Sequence, residues 1–203
     1  MIAVLTGDII NSRKVNTRAW LPVLKKELAS IGDTPRQWEI YRGDSFQVEV
    51  KDPTDALRIA LLLKAAMRTL PGVDVRIAIG IGDKRFSGAK ITESNGSAFV
   101  NSGEKYDQLK KEKQELAVKT PWPDFDDEYN LYLKLVLVAM KYWTQNTAVS
   151  VRMAMKNPGK SQELLGKSMK IKQNTVSTRL KRARYYEITE VLDRFKAKLE
   201  ERL

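Results

Sequence analysis

The chain has 203 residues, 42% of them hydrophobic, with a formal net charge of +11 and neither cysteine nor histidine. Those two absences exclude disulfides, cysteine-based zinc or iron–sulfur sites, His-ligated haem, and any Cys or His nucleophile, so chemistry would fall to carboxylates, Lys, Arg, Ser, Thr or Tyr. No run of about 18 apolar residues occurs, which argues against a membrane span. Met1-Ile2-Ala3-Val4 lacks a basic leader and leads the expectation to a cytoplasmic protein.

In chain order, Ile2–Leu5 is a short apolar run that predicts a buried strand ended by Gly7-Asp8. Thr17–Ser30 carries Trp20, Leu21, Val23, Leu24 and Leu28 at helical spacing, with Pro22 tolerated in the first turn. Trp38–Tyr41 and Phe46–Val50 predict a hairpin closed at Gly43-Asp44. A helix is expected from Asp52-Pro53 to about Leu70, burying Leu57, Ala60, Leu61, Met67 and the stem of Lys64, and Val75–Ile81 is a strong strand. The order βαββαβ predicts a ferredoxin-like α+β unit. A Gly/Ser-rich loop, a helix near 101–114 and a strand near 116–118 follow.

Pro121-Trp122-Pro123 breaks this pattern, and the acids that follow suit the first turn of a helix. Beyond it only helices are expected, at about 126–142, 146–156, 161–168, 173–186 and 187–202. The predicted domains are therefore 1–121, an α+β palm, and 122–203, an all-α unit.

Charge singles out part of the helical unit. Arg152 to Arg184 holds ten basic residues and one acid, Glu163. The same window reads as a helix-turn-helix. Ser161 is a candidate N-cap, Leu165 and Met169 face inward, Gly166 allows a close helix crossing, and Ile171 plugs the turn. Val176 and Leu180 form the buried stripe of the second helix. Lys172, Gln173, Asn174, Thr175, Ser177, Thr178, Arg179 and Lys181 then point outward, with Arg182 beside them. These are donors suited to base edges and phosphates, without a carboxylate among them, so double-stranded DNA is the expected partner. Lys170 stands where such turns usually have glycine. An ordinary helix pair in a bundle is the alternative for this segment, and a non-catalytic scaffold whose helical domain binds protein is a further reading of the chain. Ile188, Leu192, Phe195 and Leu199 form a further stripe, suited to packing within the chain or to a homodimer.

Asp8 and Asp44 lie at the ends of strands that a βαββαβ sheet makes neighbours. Two carboxylates with the Ile9 carbonyl suit Mg²⁺ carrying a nucleotide phosphate; the same aspartates also read as turn residues. Thr6-Gly7-Asp8-Ile9-Ile10-Asn11-Ser12-Arg13, Arg18, Arg42-Gly43-Asp44-Ser45-Phe46-Gln47, Val75 to Gly82, and Ser94 to Lys110 together resemble the SatD family of bacterial proteins over about residues 3–111. That resemblance implies a transcriptional regulator. More distantly, the layout is similar to the palm of class III nucleotide cyclases and diguanylate cyclases. This implies Mg or Mn ions held by Asp8, Asp44 and the Ile9 carbonyl, and nucleotide contacts from Arg13, Arg18, Asn101 and Lys105. The sequence departs from the cyclase pattern at Val100-Asn101-Ser102-Gly103-Glu104-Lys105, where Lys105 replaces a transition-state arginine and gives no bidentate contact. Two readings stay open: a DNA-binding regulator with a nucleotide- or metal-sensing palm, and a nucleotidyl cyclase-like enzyme.

Overall fold

The computed structural model describes Met1 to Leu203 as an α+β fold with a five-stranded mixed sheet and eight α-helices. The strands are β1 (Ile2–Ile10), β2 (Trp38–Tyr41), β3 (Ser45–Val50), β4 (Asp74–Gly82) and β5 (Leu116–Lys119), in the sheet order β2-β3-β1-β4-β5. All neighbours are antiparallel except β4 and β5. The helices are α1 (Thr17–Ala29), α2 (Ala56–Met67), α3 (Ser97–Glu112), α4 (Pro123–Met140), α5 (Gln145–Lys156), α6 (Gln162–Met169), α7 (Gln173–Arg182) and α8 (Tyr185–Glu200).

β1 is twice as long as its apolar run suggests. Gly7 and Asp8 do not end it; they pair with Phe46 and Ser45 on β3 and with Ile77 and Arg76 on β4. Gly7 is required there, since a Cβ would stand 2.5 Å from the Arg76 carbonyl and 2.6 Å from the Phe46 ring.

Alternation along the strands gives the sheet two unlike faces. Leu5, Ile9, Phe46, Val48, Val75, Ile77 and Ile79 join the main core with Leu24 and Leu28 of α1 and Leu57 and Leu61 of α2. On the other face, Thr6, Asp8, Ser45, Gln47, Arg76 and Ala78 alternate with those residues. α3 covers part of this polar face closely, because Gly80 and Gly82 lack side chains; a Cβ on Gly80 would lie 2.2 Å from the Ser102 nitrogen.

The apolar core does not stop at Pro121–Pro123. Ala148 and Val151 of α5, Phe125, Tyr129 and Leu133 of α4, and Phe195 and Leu199 of α8 belong to the same cluster as α2. The α8 stripe thus packs within the chain, with the Phe195 ring 5.1 Å from that of Tyr129.

Two ion clusters cross the same region. The whole Lys64 side chain is buried, not the stem alone. Its ammonium donates to Asp74 Oδ1 (3.0 Å), the Val75 carbonyl (2.7 Å) and Glu115 Oε2 (3.1 Å). Arg68 also pairs with Asp74, at 2.6 Å, and donates to the Met140 carbonyl at the end of α4. In the second cluster, the buried Glu27 of α1 accepts from Arg152 Nε at 3.0 Å and pairs with Lys156 Nζ at 2.6 Å, both on α5.

Burial alone would raise the Asp74 pKa, but the charges of Lys64 and Arg68 outweigh it and hold the carboxyl below its ordinary value. A depressed carboxylate contributes stability that is present above its unfolded pKa and lost as pH falls through the lower folded pKa. Asp74→Ala should cost about 3 kcal/mol in urea unfolding at neutral pH, because it leaves Lys64 buried with an incomplete set of acceptors. The difference between wild type and variant should shrink as the pH is taken below about 4. A variant as stable as wild type at neutral pH would count against this account.

Candidate nucleic-acid interface and polar sheet corner

The α6–α7 segment is assembled by local sequence. The Ser161 hydroxyl accepts from the Leu164 amide at 3.3 Å and caps α6. α6 ends at Lys170, which takes the left-handed conformation (φ 55°, ψ 41°) that glycine adopts with less strain. The chain then folds back so that the Ile171 amide donates to the Gly166 carbonyl at 3.0 Å. Gly166 cannot carry a side chain, for a Cβ would meet the Ile171 carbonyl at 2.7 Å. Leu165, Val176 and Leu180 are buried, with Met169 and Ile171 packed at the edge of the core.

This packing fixes which side of α7 faces outward. Lys172, Gln173, Asn174, Thr178, Lys181 and Arg182 are exposed, while Thr175, Ser177 and Arg179 are half-buried. Thr178 returns its hydroxyl to the Asn174 carbonyl at 2.9 Å. Lys172, Arg179, Lys181 and Arg182 enter no ion pair. The result is a convex helix face with free cationic and amide donors and no acid.

The second candidate region is the sheet corner where β1 ends beside the β2–β3 turn. That turn, Arg42–Asp44, has positive φ at Arg42 (53°) and Gly43 (87°). The Ile9 amide donates to the Asp44 carbonyl at 3.2 Å, which brings Asp8, Ile9 and Asp44 to one corner. Both carboxylates are satisfied from within the chain. Asp8 accepts from Arg76 at 3.4 Å; the Asp44 carboxylate accepts from the Ser12 hydroxyl and, at 3.4 Å, from Ser45. No third carboxylate adjoins them. Arg76 and Ser12 each occupy one oxygen of these carboxylates, so a divalent ion would meet only a small set of protein oxygens here, in company with a guanidinium.

The structure divides the expected nucleotide residues. Arg13 lies in the turn that carries Ser12, and Arg18 in the first turn of α1; both are exposed and unpaired. Asn101 and Lys105 are placed elsewhere. Asn101 donates to the Ile81 carbonyl at 2.8 Å near the far end of β4, and Lys105 faces α4, in a groove with Asp127 and Asn130. The α3 residues at the corner are instead Tyr106 and Lys110. The buried Tyr106 hydroxyl lies beside Asp8 and Ser45 but completes a hydrogen bond with neither, and Arg76 Nε is likewise buried without a partner. Burial first, and then the Asp8 charge, raise the Tyr106 pKa and keep its hydroxyl a donor. Lys110 Nζ stands 4.3 Å from the Tyr106 ring centre.

Arg76 was the signal open to sequence reasoning: it is the one charge inside the apolar run Val75–Ile81. Tyr106 and Lys110 fall within the segment that carries the family resemblance, but no role follows for them from the sequence, because their position depends on how closely α3 approaches Gly80.

Comparison of the sequence with protein-family models and with curated proteins returns no match.

Two substitutions test the turn. Gly166→Val should destabilise the fold by about 2 kcal/mol through the clash with the Ile171 carbonyl. Lys170→Gly should be neutral or stabilising by up to about 1 kcal/mol, through relief of the left-handed residue. Thermal unfolding followed by circular dichroism reads both; a tolerated Gly166→Val would show that the helices cross less closely.

Proposed function

We propose that this chain is a DNA-binding transcriptional regulator. In this reading α6 and α7 form a helix-turn-helix, α7 enters the major groove, and α5 packs behind it. The observation that carries the reading is the outward face of α7. With Lys172 at its cap it bears four cations, none in an ion pair, and no acid. Leaving such charges free is costly in self-repulsion and is offset when phosphates replace their counterions. The absence of acid from that face suits base-edge and phosphate contacts alike.

The α+β half acts in this reading as a sensor. The order β2-β3-β1-β4, antiparallel throughout and with β5 beside β4, is compatible with a ferredoxin-like βαββαβ unit. That supports the similarity to nucleotide-cyclase palms. The exposed Arg13, Arg18 and Arg42 beside the Asp8–Asp44 corner are suited to the phosphates of a nucleotide. Binding there would bias DNA affinity through α1, whose Glu27 holds α5.

A duplex selected by the protein from a random-sequence pool, and a random duplex of equal length, test the main reading by fluorescence anisotropy. Affinity for both should fall steeply with salt. Arg179→Ala should weaken the selected duplex by about 1–3 kcal/mol with a smaller effect on the random one, whereas Lys181→Ala should weaken both alike. Absence of salt-dependent binding would overturn the proposal. The sensor is tested by titration with ATP and GTP, with and without Mg²⁺, with pyrophosphate assayed in the same samples. Binding without pyrophosphate release supports the sensor; turnover abolished by Asp44→Ala would replace it with the enzyme reading.

A further inference from the structure

α4 is apolar on two sides. One side, Phe125, Tyr129, Leu133, Val136 and Met140, is buried in the core. The other carries Leu131, Leu135, Val138 and, just past the helix end, Tyr142, which are 57%, 62%, 52% and 77% exposed. Four of the ten exposed large hydrophobic residues of the chain thus stand in one row. Apolar residues scattered singly over a surface are ordinary, but a row on one helix marks an interaction site. A helix that is hydrophobic on both sides is normally covered on both sides.

We propose that this row is where two copies of the chain meet, with α4 packed antiparallel on α4 across a twofold axis. Three observations favour a second copy over another partner. The first is spacing. Steps of four, three and four residues along the row match the seam of a helix pair, and the same row on both copies makes a self-complementary contact. The second is charge. α4 begins with Asp124, Asp126, Asp127 and Glu128, whereas its later turns and end carry Lys134 and Lys141. Antiparallel pairing sets the acidic start of one helix toward the basic end of the other, and it opposes their dipoles favourably.

The third is geometry. Grooves of about 330 Å³ and about 650 Å³ flank the row, and the larger lies between Leu135, Val138, Tyr142 and the end of α7 at Lys181 and Arg182. A twofold axis at the row would therefore place the C-terminal ends of both α7 helices near the axis. The contact itself is read from α4 alone and does not depend on the DNA reading.

Sedimentation equilibrium of the full chain over a concentration series, without DNA, tests the proposal. Wild type should sediment at twice the chain mass. Leu135→Arg should weaken self-association by at least about a hundredfold, since a charge would enter the centre of the seam. Tyr142→Lys, beyond the helix, should do so in part. The exposure of both positions should leave the circular dichroism spectrum unchanged. Leu164→Arg, an exposed leucine outside the row, should leave the dimer intact. A wild-type monomer at every concentration, or a dimer indifferent to both Leu135→Arg and Tyr142→Lys, would overturn the proposal. A dimer that fails to bind DNA would instead overturn the regulator reading and leave this one standing.

Discussion

The burial of α2 constrains the rest of the molecule. Ten of its twelve residues are buried, among them a lysine. A helix covered on so many sides needs a layer on each, and here the sheet supplies one and the helices of the second half the others. A buried ammonium needs acceptors wherever it ends. Lys64 takes them from the start of β4 and from Glu115 just before β5, so its position fixes α2 along the sheet. Arg68, one turn on, extends the same network to the last carbonyl of α4. The segment Pro121–Pro123 is accordingly a bend within one continuous core. The helical half is seated on the α+β half rather than tethered to it.

That seating bears on how a sensor and a DNA reader would communicate. The short turn before α1 donates from Ser12 to Asp44, and near the end of α1 the Glu27 carboxylate is engaged by Arg152 and Lys156 of α5. α5 in turn contributes Ala148 and Val151 to the cluster that contains Val176 and Leu180 of α7. In the proposed reading, a displacement of α1 would reach α5 through the buried Glu27 carboxylate and its partly exposed partners Arg152 and Lys156 rather than through a flexible linker. Separating a buried carboxylate from its cations is costly, which would favour joint movement of the two helices.

Element type was largely legible in the sequence, because long amphipathic periods and Gly/Pro punctuation act locally. The helices from Asp126 onward and the strands at Trp38 and Val75 follow from spacing alone. What was not legible depended on register and on close approach. Gly7-Asp8 looks like a strand end, yet Gly7 lies mid-strand because only hydrogen fits against Phe46 and Arg76. The pairing of Asp8 with Arg76 requires the β1–β4 register. Asn101 and Lys105 missed the corner for a related reason. Gly80 and Gly82 draw the first turns of α3, with Asn101, against the far part of β4, whereas Lys105 lies level with Tyr106 but on the side of α3 that faces α4; the residues that reach Asp8 and Tyr41 are Tyr106 and Lys110. Lys64 was legible as a core position but not as a buried charge, since its partners are ten and fifty-one residues away.

The distribution of charge connects these observations. Buried carboxylates have cationic partners: Glu27 has Arg152 and Lys156, and the mostly buried Asp74 has Lys64 and Arg68. Charge that serves the fold is in this way neutralised locally, as burial demands. Part of the excess of positive charge is left on two surfaces that packing does not need, the corner bearing Arg13, Arg18 and Arg42 and the outward face of α7. A solubilising surface would intersperse the signs, as α8 does with Glu187, Glu190, Asp193, Arg194, Lys196 and Lys198. α7 lies immediately before α8 in the chain and is built of the same kinds of residue, yet its sequence from Gln173 to Arg182 contains no acid. The contrast between two adjacent helices under the same solvent is the ground for the proposal that α7 meets an anionic partner, which in the regulator reading would be the phosphate backbone of DNA.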